Sequence, residues 1–476
     1  MYETVIGLEV HVQLSTESKA FCGDSISFGA APNTHISTIS LGHPGTLPRL
    51  NKRQVEFAVR LGLALGCKIN ATSYFDRKNY FYADLPKGYQ ITQDRQPICV
   101  GGSVEIEVDG KKKHIRLHHI HMEEDAGKSI HDTDPNYSFI DLNRAGTPLL
   151  EVVTEPDLRS PDEVAIFMMT MRQLVRYLEI SDGNMDEGSL RCDCNVSVRL
   201  QGETTYNNRC EVKNMNSMRF AKRAMEYEVK RQIGIMESGG RVAQQTLNFD
   251  PETGITTPLR SKEDANDYRY FPEPDLPPVV LSESYLKKIE TEMPPLPKVL
   301  FDQFTTAFGL SAQDAFILTE EKETALFFID FTTRTSNYKA AANLTINKIR
   351  PYLQEKNANW SDFPVSKTQL AAFLQLIDEG KVSSAIAYQR VFPVLMEQPE
   401  TAPLTIAENL NLLQTSDNDF LQKVAQEVLA AFPEKVKEYK KGKKGLIGFF
   451  MGEMMKRSQG KADPKTGTEI LTRLLQ

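Results

Sequence analysis

The chain has 476 residues, 40% of them hydrophobic and 25% charged, with a formal net charge of −7. This is the composition of a folded globular protein of about three domains at ~150 residues each, and it excludes disordered and collagen-like classes. No stretch reaches the ~20 apolar residues that span a bilayer, and Met1-Tyr2-Glu3 lacks the basic and apolar regions of a secretory signal. The expectation is a chain with no membrane partner and six free thiols in a reducing cytoplasm.

In chain order, Val5 to Leu14 alternates: Leu8, Val10, Val12 and Leu14 point one way, Glu9, His11 and Gln13 the other. Asp109-Gly110 joins Val104–Val108 to Lys111–Leu117 as a hairpin. Ser160-Pro161-Asp162-Glu163 reads as a capping box opening a long helix with Val164, Phe167, Met168 and Met171 on one side. From Leu190 to Arg199 a second alternation sets Cys192, Cys194, Val196 and Val198 against Arg191, Asp193, Asn195 and Ser197. A second long helix runs from about Ser217 to Ser238 and stops at Gly239-Gly240. These elements predict an α+β domain, an antiparallel sheet with helices on one side. Seven prolines between Pro272 and Pro297 bar a continuous helix or central strand and place a seam near residue 295. Beyond it the pattern is helical, with another break at Gln398–Pro403. The expected domains are 1–295, 296–403 and 404–476. All eight histidines lie between His11 and His131, whereas Glu434–Lys461 carries +6 against −13 for the remainder.

Several clusters bear chemistry. Glu9 and His11, ~7 Å apart on one strand face, suit one cation or a triphosphate, or simply a solvated polar edge. His118, His119 and His121 with Glu123, Glu124 and Asp125 need neutralisation by a divalent metal, unless they form a solvated acidic turn. Gly127-Lys128-Ser129 is no P-loop, because Met122 stands where the first glycine belongs. Asp141-Leu-Asn-Arg144 is a turn, and Glu151 within Leu-Leu-Glu-Val-Val demands either metal or an arginine partner. Arg191, Asp193, Glu211 and Lys213 occupy polar strand faces, while Cys192 and Cys194 face the core. Phe75–Tyr82 and Asp267–Phe271 interleave basic and aromatic residues, for stacking on a base or as an aromatic core edge with snorkelling cations. Together these describe metal-assisted phosphoryl transfer better than a hydrolase triad. Gly101-Gly102-Ser103 lacks an amidase's longer Gly/Ser run, so no glutaminase is encoded here.

Ordered motifs then point to a family: Val5-Ile-Gly-Leu-Glu-Val-His-Val-Gln, Phe75-Asp-Arg-Lys-Asn-Tyr-Phe-Tyr, Leu85-Pro-Lys-Gly-Tyr-Gln, His121-Met-Glu-Glu-Asp-Ala-Gly-Lys, Asp141-Leu-Asn-Arg-Ala-Gly-Thr-Pro-Leu-Leu-Glu, Glu187-Gly-Ser-Leu-Arg-Cys-Asp and Asp267-Tyr-Arg-Tyr-Phe-Pro-Glu-Pro-Asp. They resemble the B subunits of tRNA-dependent amidotransferases, the GatB family. The resemblance implies a catalytic sheet like that of glutamine synthetase and a heterotrimer with a GatA-type glutaminase and a small GatC-type subunit. It implies ATP- and Mg²⁺-dependent phosphorylation of the side-chain carboxylate of misacylated Glu-tRNA(Gln) or Asp-tRNA(Asn), then amidation by ammonia from the glutaminase. Carried over, Glu9, His11, Glu124, Glu151, Asp193 and Glu211 form the magnesium and carboxylate set. Glu124, Asp193, Glu211, Arg191 and Lys213 are catalytic, and Lys78, Glu151, Lys128 and Arg144 bind ATP or substrate. Lys435, Lys437, Lys440, Lys441, Lys443 and Lys444 grip tRNA, where a soluble lysine-rich helix end is the plainer reading. Two departures stand out. The family's four-cysteine zinc pattern is reduced to Cys22, with Asp24, Ser37 and Ser40 elsewhere, so no zinc is expected. A Gln-Glu-Thr-Arg stretch reads Gln244-Gln245-Thr246-Leu247. A non-catalytic tRNA scaffold would not need the acidic face, and a phosphohydrolase would not need the tail.

Overall fold

The computed structural model describes all residues except 131–133, 135, 262–266, 415–417 and 459, so His131 lies outside the described residues. The chain divides into two compact units, Met1–Pro297 and Lys298–Gln476.

The first unit is organised by a ten-stranded sheet. Its strands are β1 (Tyr2–Gln13), β2 (Lys68–Ile69), β5 (Cys99–Val100), β6 (Ser103–Val108), β7 (Lys111–Glu124), β8 (Pro148–Thr154), β9 (Leu190–Leu200), β10 (Cys210–Lys213), β11 (Gln245–Asp250) and β12 (Ile255–Ser261). The order is β12-β11-β10-β9-β1-β8-β7-β5-β2, with β6 paired to β7. Between β2 and β5 in sequence, β3 (Asp76–Asn79) and β4 (Tyr89–Thr92) form a separate small sheet with Phe271–Pro272. Alternation decides which face each strand buries. Leu8, Val10, Val12, Cys192, Cys194, Val196 and Leu150 are almost wholly buried in one apolar cluster, leaving Glu9, His11, Arg191, Asp193 and Glu151 on the opposite face. The Asp109-Gly110 turn joins β6 to β7 with both residues at positive φ, 51° and 73°, the combination a tight two-residue hairpin needs.

Three long helices contribute to that core, α1 (Lys52–Ala64), α2 (Pro161–Tyr177) and α3 (Met218–Glu237), and Ile289 of the shorter helix Glu283–Glu292 joins them. Ser160 caps α2 by accepting the Glu163 N–H at 3.2 Å, but the expected box is only half formed. The Glu163 carboxylate takes the N–H of Arg159 at 2.6 Å instead of that of Ser160. Helix α1 is a third long helix beyond the two that the sequence predicts. Asn51 caps it, and Val55, Phe57, Ala58, Val59 and Leu61 are buried. A Cβ on Gly62 would come within 2.5 Å of Cys99 Sγ, so glycine lets α1 lie close against the sheet. The sheet is also not purely antiparallel. β10 and β11 run parallel, joined through α3, because a parallel pair needs a long crossover. A ten-residue helix, Glu283–Glu292, forms between the two proline groups.

The named elements of the second unit are all helices among its described residues. The residues flanking position 403 share it. Helices Asn418–Ala431, Ile447–Arg457 and Pro464–Leu475 gather Leu421, Phe450, Ile470 and Leu471 into an apolar cluster of their own. Among the described residues, no helix is long and apolar enough to cross a membrane.

Candidate active site

Strand register assembles the polar face. Across β7, β8, β1 and β9, His121 pairs with Glu151, Glu151 with His11, and His11 with Arg191. Two residues along β1, Glu9 stands opposite Asp193. Four segments far apart in sequence thus set two imidazoles, the carboxylate between them and a guanidinium side by side in one row, where cross-strand neighbours are ~5 Å apart.

The row closes into two clusters. In the first, His121 Nε2 lies 3.3 Å from Glu151 and 3.5 Å from Glu123. His11 Nε2 lies 3.5 Å from Glu151 and 3.8 Å from Glu123. Burial pulls both imidazoles down, but the two carboxylates prevail, lifting His11 above its usual value and His121 to about 10. Burial would raise the Glu151 carboxyl, yet His121 and His11 hold it well below the carboxylate range. His119 stacks on His121 with ring centroids 5.1 Å apart. Burial, with the neighbouring His121 and His118, pushes His119 down to about 4.

In the second cluster, Lys213 Nζ lies 2.5 Å from Asp193 and 2.9 Å from Glu211. Burial lowers this ammonium's pKa, but the two carboxylates outweigh it and raise the group overall. Asn195 Nδ2 donates to Glu9 at 3.0 Å and Thr246 Oγ1 to Glu211 at 2.9 Å. Burial raises the Glu9 carboxyl, and Glu151, Glu211 and Asp193 add to the rise. Asp125 links the face to its rim, accepting from Arg191 Nη2 at 2.9 Å with Arg144 Nε at 3.5 Å.

A cavity of about 340 Å³ opens over these groups, lined among others by His11, Lys78, Tyr80, Glu123, Arg191 and Lys213. Three glutamines grip the end of β7 beneath it. Gln93 Oε1 accepts from Met122 N at 3.1 Å, Gln54 Nε2 donates to Glu123 O at 2.9 Å, and Gln90 Nε2 to Glu124 O at 2.7 Å. They satisfy backbone groups where the strand ladder ends, and so fix which way each carboxylate points.

The expected residues fare unequally. His11, Glu151, Arg191, Asp193, Lys213, Lys78 and Arg144 all line the cavity, and Glu9 and Glu211 stand beside Asp193 in the second cluster. Glu124 does not join them. Its carboxylate pairs with Lys87 and accepts from Ile91 N at 3.0 Å, beside a different cavity bordered by Lys19, Cys22 and Gly146. The physical reason is strand parity: His119, His121 and Glu123 share one face of β7 and Glu124 takes the other. Glu123, read from the sequence as part of the acidic run, is missing from the set carried over from the resemblance, and parity counted from His121 is the signal that singles it out. Lys128 is exposed, on a separate two-stranded ladder of Lys128–Ile130 with Phe139–Asp141, and does not line the cavity. Asp125 and Tyr80, which fall within the acidic run and the basic-aromatic stretch read from the sequence, are further cavity residues outside the carried-over set. Away from this face, Cys22 Sγ lies 3.2 Å from Asp24 and 3.4 Å from Ser40. Lys19 Nζ donates to Ser40 at 3.3 Å, so a cation already stands in that loop. In the second unit, Lys437 and Lys443 pair with Glu434 and Glu438, and Lys435 and Lys444 sit over the rings of Phe449 and Tyr439. Lys440 and Lys441 belong to the same basic stretch, and Lys441 is exposed.

The donor set suits a hard divalent cation. His11, Glu123 and Glu151 offer ligand atoms within 4.8 Å of one another, as do Glu9, Asp193 and Glu211. Ligands held at ~2.1 Å around one Mg²⁺ stand roughly 3–4 Å apart.

Comparison with known proteins agrees in extent with this layout. Residues 4–287 match the GatB/GatE catalytic domain, and residues 326–475 match the GatB domain. The B subunit of the aspartyl/glutamyl-tRNA(Asn/Gln) amidotransferase of Geobacter sulfurreducens is 48% identical, covering 100% of this chain and 99% of its own. The proteins of the same name from Thermodesulfovibrio yellowstonii and Persephonella marina are 46% and 45% identical, each across 100% of this chain and 99% and 100% of their own. With both domain models matched in order and full-length relatives at this identity, the chain belongs to the GatB family, the B subunits of tRNA-dependent amidotransferases.

Proposed function

We propose that this chain uses ATP to phosphorylate the side-chain carboxylate of misacylated Glu-tRNA(Gln) or Asp-tRNA(Asn), and that ammonia then displaces phosphate to leave the amide. The order follows from leaving-group chemistry: a carboxylate oxygen cannot be expelled by ammonia, whereas phosphate can. The γ-phosphoryl group moves to a carboxylate oxygen, ADP departs, and nitrogen attack on the acyl carbon releases inorganic phosphate. The observation that carries this reading is the four-strand row His121–Glu151–His11–Arg191 with Glu9, Asp193 and Lys213 alongside.

Arg191, oriented by Asp125, and Lys213 and Lys78 take up charge as it spreads over the transferring phosphoryl oxygens. Glu151, Glu123 and His11 would hold Mg²⁺ at one cluster, and Glu9, Asp193 and Glu211 would hold it at the other. When bound, the metal shields the two reacting anions from one another. Arg144, anchored on the carbonyls of Ala126 and Gly127 at 3.0 and 2.7 Å, stands at the substrate side. No structural zinc is needed, Cys22 being one thiol where about four soft ligands are usual. Ammonia comes from a GatA-type glutaminase in a complex that includes a small GatC-type subunit, in the cytoplasm. The tail lysines grip tRNA phosphates. Co-expression with the glutaminase and the small subunit, followed by amidation assays on Glu-tRNA(Gln) and Asp-tRNA(Asn), tests the reading. Formation of Gln-tRNA or Asn-tRNA only with ATP present is the expected result, and amide formation without ATP would overturn it.

A further inference from the structure

At the rim of the cavity stands an arc of tyrosines that the phosphoryl chemistry does not use. Tyr80 lines the cavity, and its ring centroid lies 5.8 Å from that of Tyr82 and 6.2 Å from that of Tyr268, which is 6.0 Å from Tyr270. We propose that this arc is a stacking site for an adenine ring whose phosphate end enters the acidic cavity. The proposal rests on the reading above and assigns residues to one part of that substrate.

Three observations carry it. Each neighbouring pair meets edge to face, at 66°, 73° and 74°, so the rings do not cover one another and leave faces for a planar guest. Exposure is high for aromatic residues: Tyr82 is 57% and Tyr270 40% exposed, where a core edge would be shielded. Lys78 Nζ stands 4.9 Å from the Tyr268 ring centroid and also lines the cavity, placing a phosphate-seeking cation between base platform and reaction site.

The platform is also fixed in advance. Asn79 donates from its backbone N–H to Tyr268 O at 3.0 Å, and from Nδ2 to Tyr268 O at 3.1 Å and Arg269 O at 2.9 Å. Arg77 clamps Glu273 through two bonds of 2.7 and 2.8 Å, and Phe271 pairs with Arg77 along β3. Arg269 holds a φ of +47°, a conformation that non-glycine residues adopt at a cost, between Tyr268 and Tyr270. Rings tied down by this many backbone bonds lose little freedom on binding a base. An adenine can come from ATP or from the 3′-terminal nucleoside of the tRNA. Stacking is the same for both.

The test uses the complex assembled with the glutaminase and the small subunit. Equilibrium binding is measured for ATP, and for tRNA(Gln) with and without its 3′-terminal adenosine, in the unsubstituted complex and in Tyr268→Leu, Tyr82→Leu and Tyr268→Phe. Losing one stacked base corresponds to a roughly 5- to 100-fold weaker Kd. A weaker Kd for ATP in the leucine variants, restored in Tyr268→Phe, supports the proposal and assigns the nucleotide's base. Loss of the intact tRNA's advantage over the truncated one supports it and assigns the terminal adenosine. Unchanged Kd values for both overturn it. Failure of both leucine variants to assemble, with Tyr268→Phe assembling, also overturns it, by making the arc a surface for a partner subunit. Should Tyr268→Leu alone fail to fold, the exposed Tyr82→Leu carries the same expectations. These binding readouts do not depend on amidation, so failure of the proposed reaction shows separately, as absent amide product from the unsubstituted complex.

Discussion

The two acidic clusters on the sheet answer their carboxylates with cations of very different kinds. Glu123 and Glu151 face two imidazoles, His11 and His121, whereas Asp193 and Glu211 face one ammonium, Lys213. An imidazole becomes a ligand itself once its proton leaves, so a metal can take the proton's place even where carboxylates hold that proton. A lysine keeps its charge and must instead move aside. In the proposed reaction the first cluster would exchange protons for metal, whereas the second keeps a fixed positive charge beside its carboxylates.

Removing that fixed charge gives the largest expected effect on stability. Lys213→Met leaves Asp193 and Glu211 facing each other without a counter-charge. Breaking a buried pair costs about 3–5 kcal/mol, and partial exposure of this one reduces the figure to about 2–3 kcal/mol. Chemical denaturation of the metal-free chain measures it. Added Mg²⁺ is expected to recover much of the loss, and an Mg²⁺-insensitive midpoint would show that the second cluster does not take metal.

Acid should act on the imidazole side. His119 is held down to about 4, so the folded state binds fewer protons than the unfolded one. Its stabilising effect is complete above the unfolded value of about 6.5 and is lost as pH falls toward 4, worth about 2 kcal/mol after allowance for its partial exposure. His121, raised to about 10, has the opposite sign. Its stabilisation is complete below about 6.5 and fades as pH rises through 10. Metal-free stability should thus peak near pH 6.5, and His119→Gln should flatten the acid limb alone. An unchanged acid limb in that variant would remove His119 from the picture.

The smallest effects belong to the tail, where charges are exposed and no strand register holds them. Lys441→Ala should weaken tRNA binding by less than about 1 kcal/mol and reduce the salt slope by about 0.9, one phosphate contact. Lys437→Ala, already paired with Glu434, should change the slope less. Filter binding over a salt series separates the two, and equal slopes would show that the pairing is immaterial.

Period-two alternation is enough to find the polar faces of β1 and β9, and to send Cys192 and Cys194 to the core, because each depends on one strand's own geometry. Glu123 and Glu124 are adjacent in the same acidic run, and only counting parity from His121 separates them. The parallel pairing of β10 with β11 and the row across four strands are non-local, decided by which strands meet. Helix α1 is hard to read because Gly62 interrupts its apolar pattern, although Asn51 is a usable cap. Gln54 on that helix, fully buried and bonded to the Glu123 carbonyl, cannot be connected to the site until the helix is placed.

The most direct measurement is ATP turnover dependent on Glu-tRNA(Gln) by the assembled complex carrying Glu151→Gln. That change keeps the side chain's shape while removing the charge that both His11 and His121 face. If the row across the four strands is the phosphoryl-transfer site, turnover should fall by about 100-fold or more, the size of loss seen when one electrostatic group is removed from an active site, while the complex still assembles. Turnover within about threefold of the unsubstituted complex, well short of that loss, would contradict it.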